Sequence, residues 1–150
     1  MDTTGNTRRD APTSGSVAVI TLLFSGGSSE DLKETGANHA QFRLWLDRLA
    51  GFFVGLKSAD GTCVPVLFRP FHEHTGSGFW WGEAQCTPDE YKALWRFTVE
   101  YLRDVKGVHN LLYVYSPDLY RDAEHYTERY PGDEWVDVLG LDAYHRGRMQ

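Results

Sequence analysis

The sequence predicts an α/β fold built on a parallel sheet. Two patterns carry that prediction. Short apolar runs suited to buried strands alternate with longer stretches of helical periodicity. Polar residues gather just after each run, which is where parallel α/β proteins keep their chemistry. Length adds a condition. At 150 residues the chain suits one domain with a core, whereas a complete (β/α)₈ barrel needs about 250 residues and rarely fewer than about 200.

Residues 1–16 are polar, rich in Thr, Ser and Gly, and without periodicity. Residues 17–24 form the longest apolar run, far short of the ~20 residues that span a bilayer. With Arg8-Arg9 ahead of it the run faintly resembles a signal peptide, but the small-residue cleavage pattern is poor. A short strand or an ordered loop are the other readings. Gly26-Gly27-Ser28-Ser29 is a further break. Residues 1–37 are therefore taken as an N-terminal loop or tail, and residues 38–150 as the folded part.

A helix is predicted over residues 38–57. Phe42, Trp45, Leu46, Leu49, Phe52, Phe53 and Leu56 recur at three- and four-residue spacing, with Asn38 as the N-cap. Asp60-Gly61 marks a turn, and residues 64–68 read as a buried strand. Thr87-Pro88-Asp89-Glu90 is a capping box with proline at the first helical position. Tyr91, Leu94, Trp95, Thr98 and Leu102 form that helix's apolar stripe, and Lys106-Gly107 ends it. Residues 111–115 form a second strand, 123–130 a short helix, and 136–141 a third strand. Such alternation implies parallel strands with right-handed crossovers. A doubly wound sheet and part of a (β/α)₈ barrel both fit.

Composition narrows the function. The net charge is −6, which disfavours a nucleic-acid backbone as partner. Aromatics make up 14% of the chain, enough for a core and a stacking surface. Cys63 and Cys86 are too few for a disulfide scaffold. They belong to opposite ends of the sheet, so no bridge between them is expected.

Three strand ends carry polar residues: Arg69 to His74 with Pro70 and Phe71 between, Ser116-Pro117-Asp118, and Asp142-Ala143-Tyr144-His145. On a parallel sheet these converge on one rim. A carboxyl at Glu73, withdrawn from water beside aromatics, favours its neutral form and suits a general acid. The bland alternative is a loop salt bridge from Glu73 to Arg69. His72, Glu73 and His74 do not make H-E-x-x-H, since Gly76 stands where its second histidine belongs; no metal site is expected. Residues 76–82 (GSGFWWG) are out of register for a phosphate loop and run into tryptophans. Adjacent aromatics suit sugar rings, whose apolar faces stack on them; packing under the loop is the alternative.

Four blocks occur in order: RPFHEHTGSGFWWG (69–82), CTPDEYKALWRFTVEYLRD (86–104), GVHNLLYVYSPD (107–118) and ERYPGDEWVDVLGLDAYH (128–145). Together they resemble glycoside hydrolase family 26, best known for endo-β-1,4-mannanases. The resemblance implies a partial (β/α)₈ TIM barrel covering about strands four to six, with 38–150 its central part, incomplete at both ends. It implies a retaining mechanism with two glutamates. Glu73 falls on the general acid/base. His72, Phe79, Trp80, Asp142 and Tyr144 fall on substrate-binding positions. The nucleophile, a glutamate ending the seventh strand, has no counterpart in this chain. Residues 2–5 resemble the loop after the third strand. The implied substrate is a β-mannan-type polysaccharide or oligosaccharide, with no cofactor, no nucleic acid and no membrane. Mixed-linkage β-glucan, β-1,3-xylan and non-catalytic carbohydrate binding are the alternatives. An extracellular or cell-surface location goes with the family. Gly78 departs from a usual tryptophan, His74 from asparagine or methionine, and residues 22–24 extend a region shorter in relatives.

Overall fold

The computed structural model describes residues 18–21 and 38–144. Residues 2–5, Arg8-Arg9, residues 22–24, the Gly26 to Ser29 break and His145 lie outside the described residues. Four parallel strands form one sheet in the order β1 (Ala18–Thr21), β2 (Val66–Arg69), β3 (Leu111–Tyr115), β4 (Val138–Leu139). Sequential neighbours joined by crossovers of one hand keep every helix on one face. That is the winding of a barrel arc. A doubly wound sheet must reverse its strand order.

The strand β1 corrects the reading of 1–37 as loop or tail. Its sequence, Ala-Val-Ile-Thr, is rich in branched side chains, and its backbone pairs in register with β2, Ala18 opposite Val66 and Thr21 opposite Arg69. A four-residue strand leaves little periodicity to recognise.

α1 spans His39–Gly55. Phe42, Leu46, Ala50 and Phe53 are its buried stripe, while Trp45, Leu49 and Leu56 pack partly against the same core. Two expectations fail here. Phe52 is 52% exposed, because it lies about 100° around the helix from Phe53, which takes the core position. Asn38 makes no side-chain cap; only its carbonyl accepts, from Phe42 N–H at 2.9 Å.

α2 spans Pro88–Glu100 and starts with the predicted capping box. Thr87 Oγ1 accepts from Glu90 N–H at 3.3 Å, and Thr87 N–H donates to the Glu90 carboxylate at 2.9 Å. Tyr91, Leu94, Trp95, Thr98 and Leu102 are all buried. The helix then loosens into a π-helical turn, Tyr101–Val105, and stops at Gly107, whose φ of +66° only glycine adopts easily.

On the face of β2 and β3 turned to the helices stand Val66, Phe68, Leu111, Tyr113 and Tyr115, all buried. Phe53, Phe68 and Tyr113 stack edge to face there, with centroids 5.2 and 6.0 Å apart. α3 (Ala123–Thr127) and a 3₁₀ turn (Asp133–Trp135) lead to β4; α3 and β4 are both shorter than the 123–130 and 136–141 that the sequence pattern suggests. Among the described residues no helix is long and apolar enough to cross a membrane. Cys63 is exposed, Cys86 is buried, and both are free thiols.

Candidate active site

The carboxyl ends of β2, β3 and β4 bring the polar residues to one rim. β2 ends at Arg69, and the next residues turn sharply: Phe71 and Glu73 take φ values of +49° and +54°. L residues adopt this left-handed backbone rarely, and mostly where surrounding structure fixes it. The buried Phe71 ring lies within 6.4 Å of the rings of Trp80, Trp81, Tyr91 and Trp95, and its carbonyl accepts from the Tyr91 phenol at 2.9 Å. The His72 carbonyl accepts from Trp81 Nε1 at 2.8 Å. The loop is thus held by its own main chain, and Glu73 is left half-buried on the rim.

Glu73 N–H donates to Ser116 O at 2.9 Å, so the loop leans on the end of β3. The Glu73 carboxylate accepts from the Tyr144 phenol. That bond pushes the Tyr144 ionisation upward, because the carboxylate favours the protonated phenol. Asp142 pairs with the Arg69 guanidinium through both carboxylate oxygens. The Arg69 ion pair therefore reaches across the sheet to the segment after β4.

His72 is 6% exposed, with its ring 5.0 Å from Phe79 and 6.1 Å from Trp81. Burial first, then the charge on Arg69, lowers its pKa and keeps the imidazole neutral. The aromatic loop divides. Trp81 is fully buried and stacks at 4.5 Å on Phe79, whereas Phe79 and Trp80 remain half-buried. Trp81 serves packing, and Phe79 and Trp80 are only partly covered by the fold. Gly82 lets this loop close, since a Cβ there would fall 2.9 Å from the Phe79 carbonyl oxygen. At Gly78 a Cβ would meet nothing within 4 Å, so the position is open.

The sequence-predicted residues His72, Glu73, Phe79, Trp80, Asp142 and Tyr144 thus fall on one connected rim. Sequence reasoning placed Arg69, Asp118 and Asp142 at the strand ends but missed the Arg69–Asp142 pair and the bond of Thr75 to Asp118, 2.8 Å long and beside Glu73. Another missed contributor is Arg129. It is 2% exposed, and its guanidinium donates to the carbonyls of Trp81 and Cys86 behind the aromatic loop. Among the described residues no group of three or more His, Cys, Asp or Glu side chains could hold a metal ion.

A parallel sheet with carboxylates, a neutral histidine and half-buried aromatics on its carboxyl rim belongs to the class of α/β proteins that keep their chemistry at the strand ends. Comparison with known proteins makes the class specific. The model of Glycosyl hydrolase family 26 matches residues 27–150, and the chain belongs to that family. A mannan endo-1,4-beta-mannosidase of Bifidobacterium adolescentis is 42% identical over 148 residues, covering 90% of this chain and 15% of the relative. A GH26 beta-mannanase structure from Bacteroides ovatus is 49% identical with a TM-score of 0.76, covering 80% of this chain and 35% of that one. The modular endo-beta-1,4-mannanase of Cellulomonas fimi is 42% identical with a TM-score of 0.81, covering 87% of this chain and 32% of that one. The chain therefore spans about a third or less of the length of these relatives.

Proposed function

We propose that this chain supplies the acid/base half of a retaining endo-β-1,4-mannanase. The observation that carries the reading is Glu73, a half-buried carboxyl on the strand rim, held by Tyr144 and flanked by neutral His72. Residues 38–150 correspond to the central part of a (β/α)₈ barrel, with β2, β3 and β4 as strands four, five and six, and β1 pairs beside the first of these. The relatives named as mannanases support mannan as substrate.

In a retaining glycosidase two carboxyls stand about 5–5.5 Å apart across the scissile bond. One attacks the anomeric carbon as the glycosidic C–O bond breaks. The other gives its proton to the leaving oxygen, then takes a proton from the water that releases the sugar. Glu73 fills the second role. His72, Asp142 and Tyr144 face the sugar at the cleavage point, and Phe79 and Trp80 offer ring surface to the chain of sugars. The first role falls to a glutamate outside these 150 residues. The other two rim carboxylates are engaged, Asp142 by Arg69 and Asp118 by Thr75.

In the complete enzyme Glu73→Gln lowers turnover of mannan about a hundredfold or more, the scale of a lost general acid/base, while bound oligosaccharide is retained. Near-normal turnover would remove Glu73 from the role. Residues 1–150 alone release no reducing sugar that depends on Glu73. A panel of mannan, mixed-linkage β-glucan and β-1,3-xylan, read by product analysis, separates the substrates. Binding without cleavage by the complete protein would favour a non-catalytic relative.

A further inference from the structure

The turn that carries Glu73 is gripped a second time, two residues on. Thr75 is 5% exposed, and its hydroxyl donates to Asp118 Oδ1 at 2.8 Å. Thr75 Oγ1 in turn accepts from the backbone N–H groups of Asp118 at 3.2 Å and Leu119 at 3.0 Å. Thr75 Oγ1 is therefore the hub that joins the Glu73 turn to the segment after β3. Between the two grips the chain is pinned by Gly76 N–H donating to the Glu73 carbonyl at 3.3 Å. Gly76 is needed for the fit, because a Cβ there would stand 2.5 Å from Asp118 Oδ2.

Glu73 keeps a left-handed φ of +54° without being glycine. Such a backbone persists only where its surroundings over-determine it. Its own N–H bond to Ser116 fixes one side, and the Thr75–Asp118 pair fixes the other. We propose that Asp118 and Thr75 are positioning residues that aim the Glu73 carboxyl at the leaving-group oxygen. This rests on the acid/base reading of Glu73. Asp118 has no part in the proton transfer itself: its carboxylate is turned onto Thr75 and lies against Gly76. Its influence is geometric, and proton transfer tolerates little error, since a displacement of about 1 Å can cost on the order of a hundredfold in rate.

The test uses the complete enzyme and two substrates. A manno-oligosaccharide has a poor leaving group and needs the acid, whereas a dinitrophenyl β-mannoside leaves without protonation. Asp118→Ala and Thr75→Val are expected to lower kcat/KM at least tenfold on the oligosaccharide and less than threefold on the aryl substrate. Asp118→Asn and Thr75→Ser, which keep an acceptor and a hydroxyl, restore most of the loss. Gly76→Ala, which displaces the Asp118 carboxylate, reproduces it. Equal losses on both substrates, or no loss on either, overturn the proposal, since a merely structural role moves both alike. Glu73→Gln runs beside these variants. If it lacks the selective pattern, the acid/base reading falls; if it shows the pattern and Asp118→Ala does not, the positioning proposal alone falls.

Discussion

His74 follows Glu73 into complete burial, with its ring centroid 4.5 Å from that of Tyr91 and 4.7 Å from that of Tyr115. Neither ring nitrogen has a hydrogen-bond partner, so the imidazole acts as an aromatic wedge and bears the cost of two unmet polar atoms. Burial, aided by the charges on Arg129 and His125, lowers its pKa from 6.5 to about 3. The unfolded chain therefore holds one more proton than the folded one between those values, and folding loses stability as pH falls below 6.5. The slope from one such group is at most about 1.4 kcal/mol per pH unit. In the complete enzyme His74→Phe keeps the wedge and removes the titration. Urea melts at pH 6.5, 5.5 and 4.5 should show the wild type losing stability faster than the variant; parallel losses would remove His74 as the source. The sequence showed which residues stand on the rim, because each follows a recognisable apolar run. It did not show how they pair. Arg69 and Asp142 are 73 positions apart, and Thr75 and Asp118 are 43 apart; such partners depend on sheet register, which no local pattern carries.

At the scale of elements, the best-marked feature is also the one that fixes the aromatic loop from behind. The capping box at Thr87 starts α2 immediately after Cys86, whose carbonyl receives Arg129. α2 then presents Tyr91 to the Phe71 carbonyl and Trp95 Nε1 to the Trp135 carbonyl at 2.9 Å. Removing the cap by Thr87→Ala costs about 1 kcal/mol, read as a lower urea midpoint with an unchanged slope. Thr87→Ser, which keeps the hydroxyl, restores it. An unaltered midpoint in the alanine variant would mean that packing alone sets this helix start. α2 was legible because its signals are local: a cap, a proline and a stripe. The buried stripe of α1 and the strand β1 were not. Phe52 belongs to an apolar series too broad for one buried stripe, and β1 owes its place to pairing with β2.

For the molecule as a whole, the two sheet faces are unequal. One packs on α1 and α2. The other carries Leu67, Leu112 and Val114, with Leu112 41% exposed. β1 and β4 are the outer strands of the described sheet, each with one pairing edge open. Leu44, Phe52 and Val54 are exposed on α1, and Leu139 and Leu141 are exposed on and after β4 beside Tyr120. Open parallel edges and exposed apolar surface favour association between chains. Residues 1–150 expressed alone should therefore elute from a sizing column as mixed oligomers, bind a hydrophobic dye, and melt broadly. Changing the exposed Leu112, Leu139 and Leu141 to serine should reduce association without restoring a sharp transition, because the edges remain open. A soluble wild-type monomer with one sharp two-state melt would show that the four-stranded arc is self-sufficient. The rim around Glu73 would then be a stable platform in its own right.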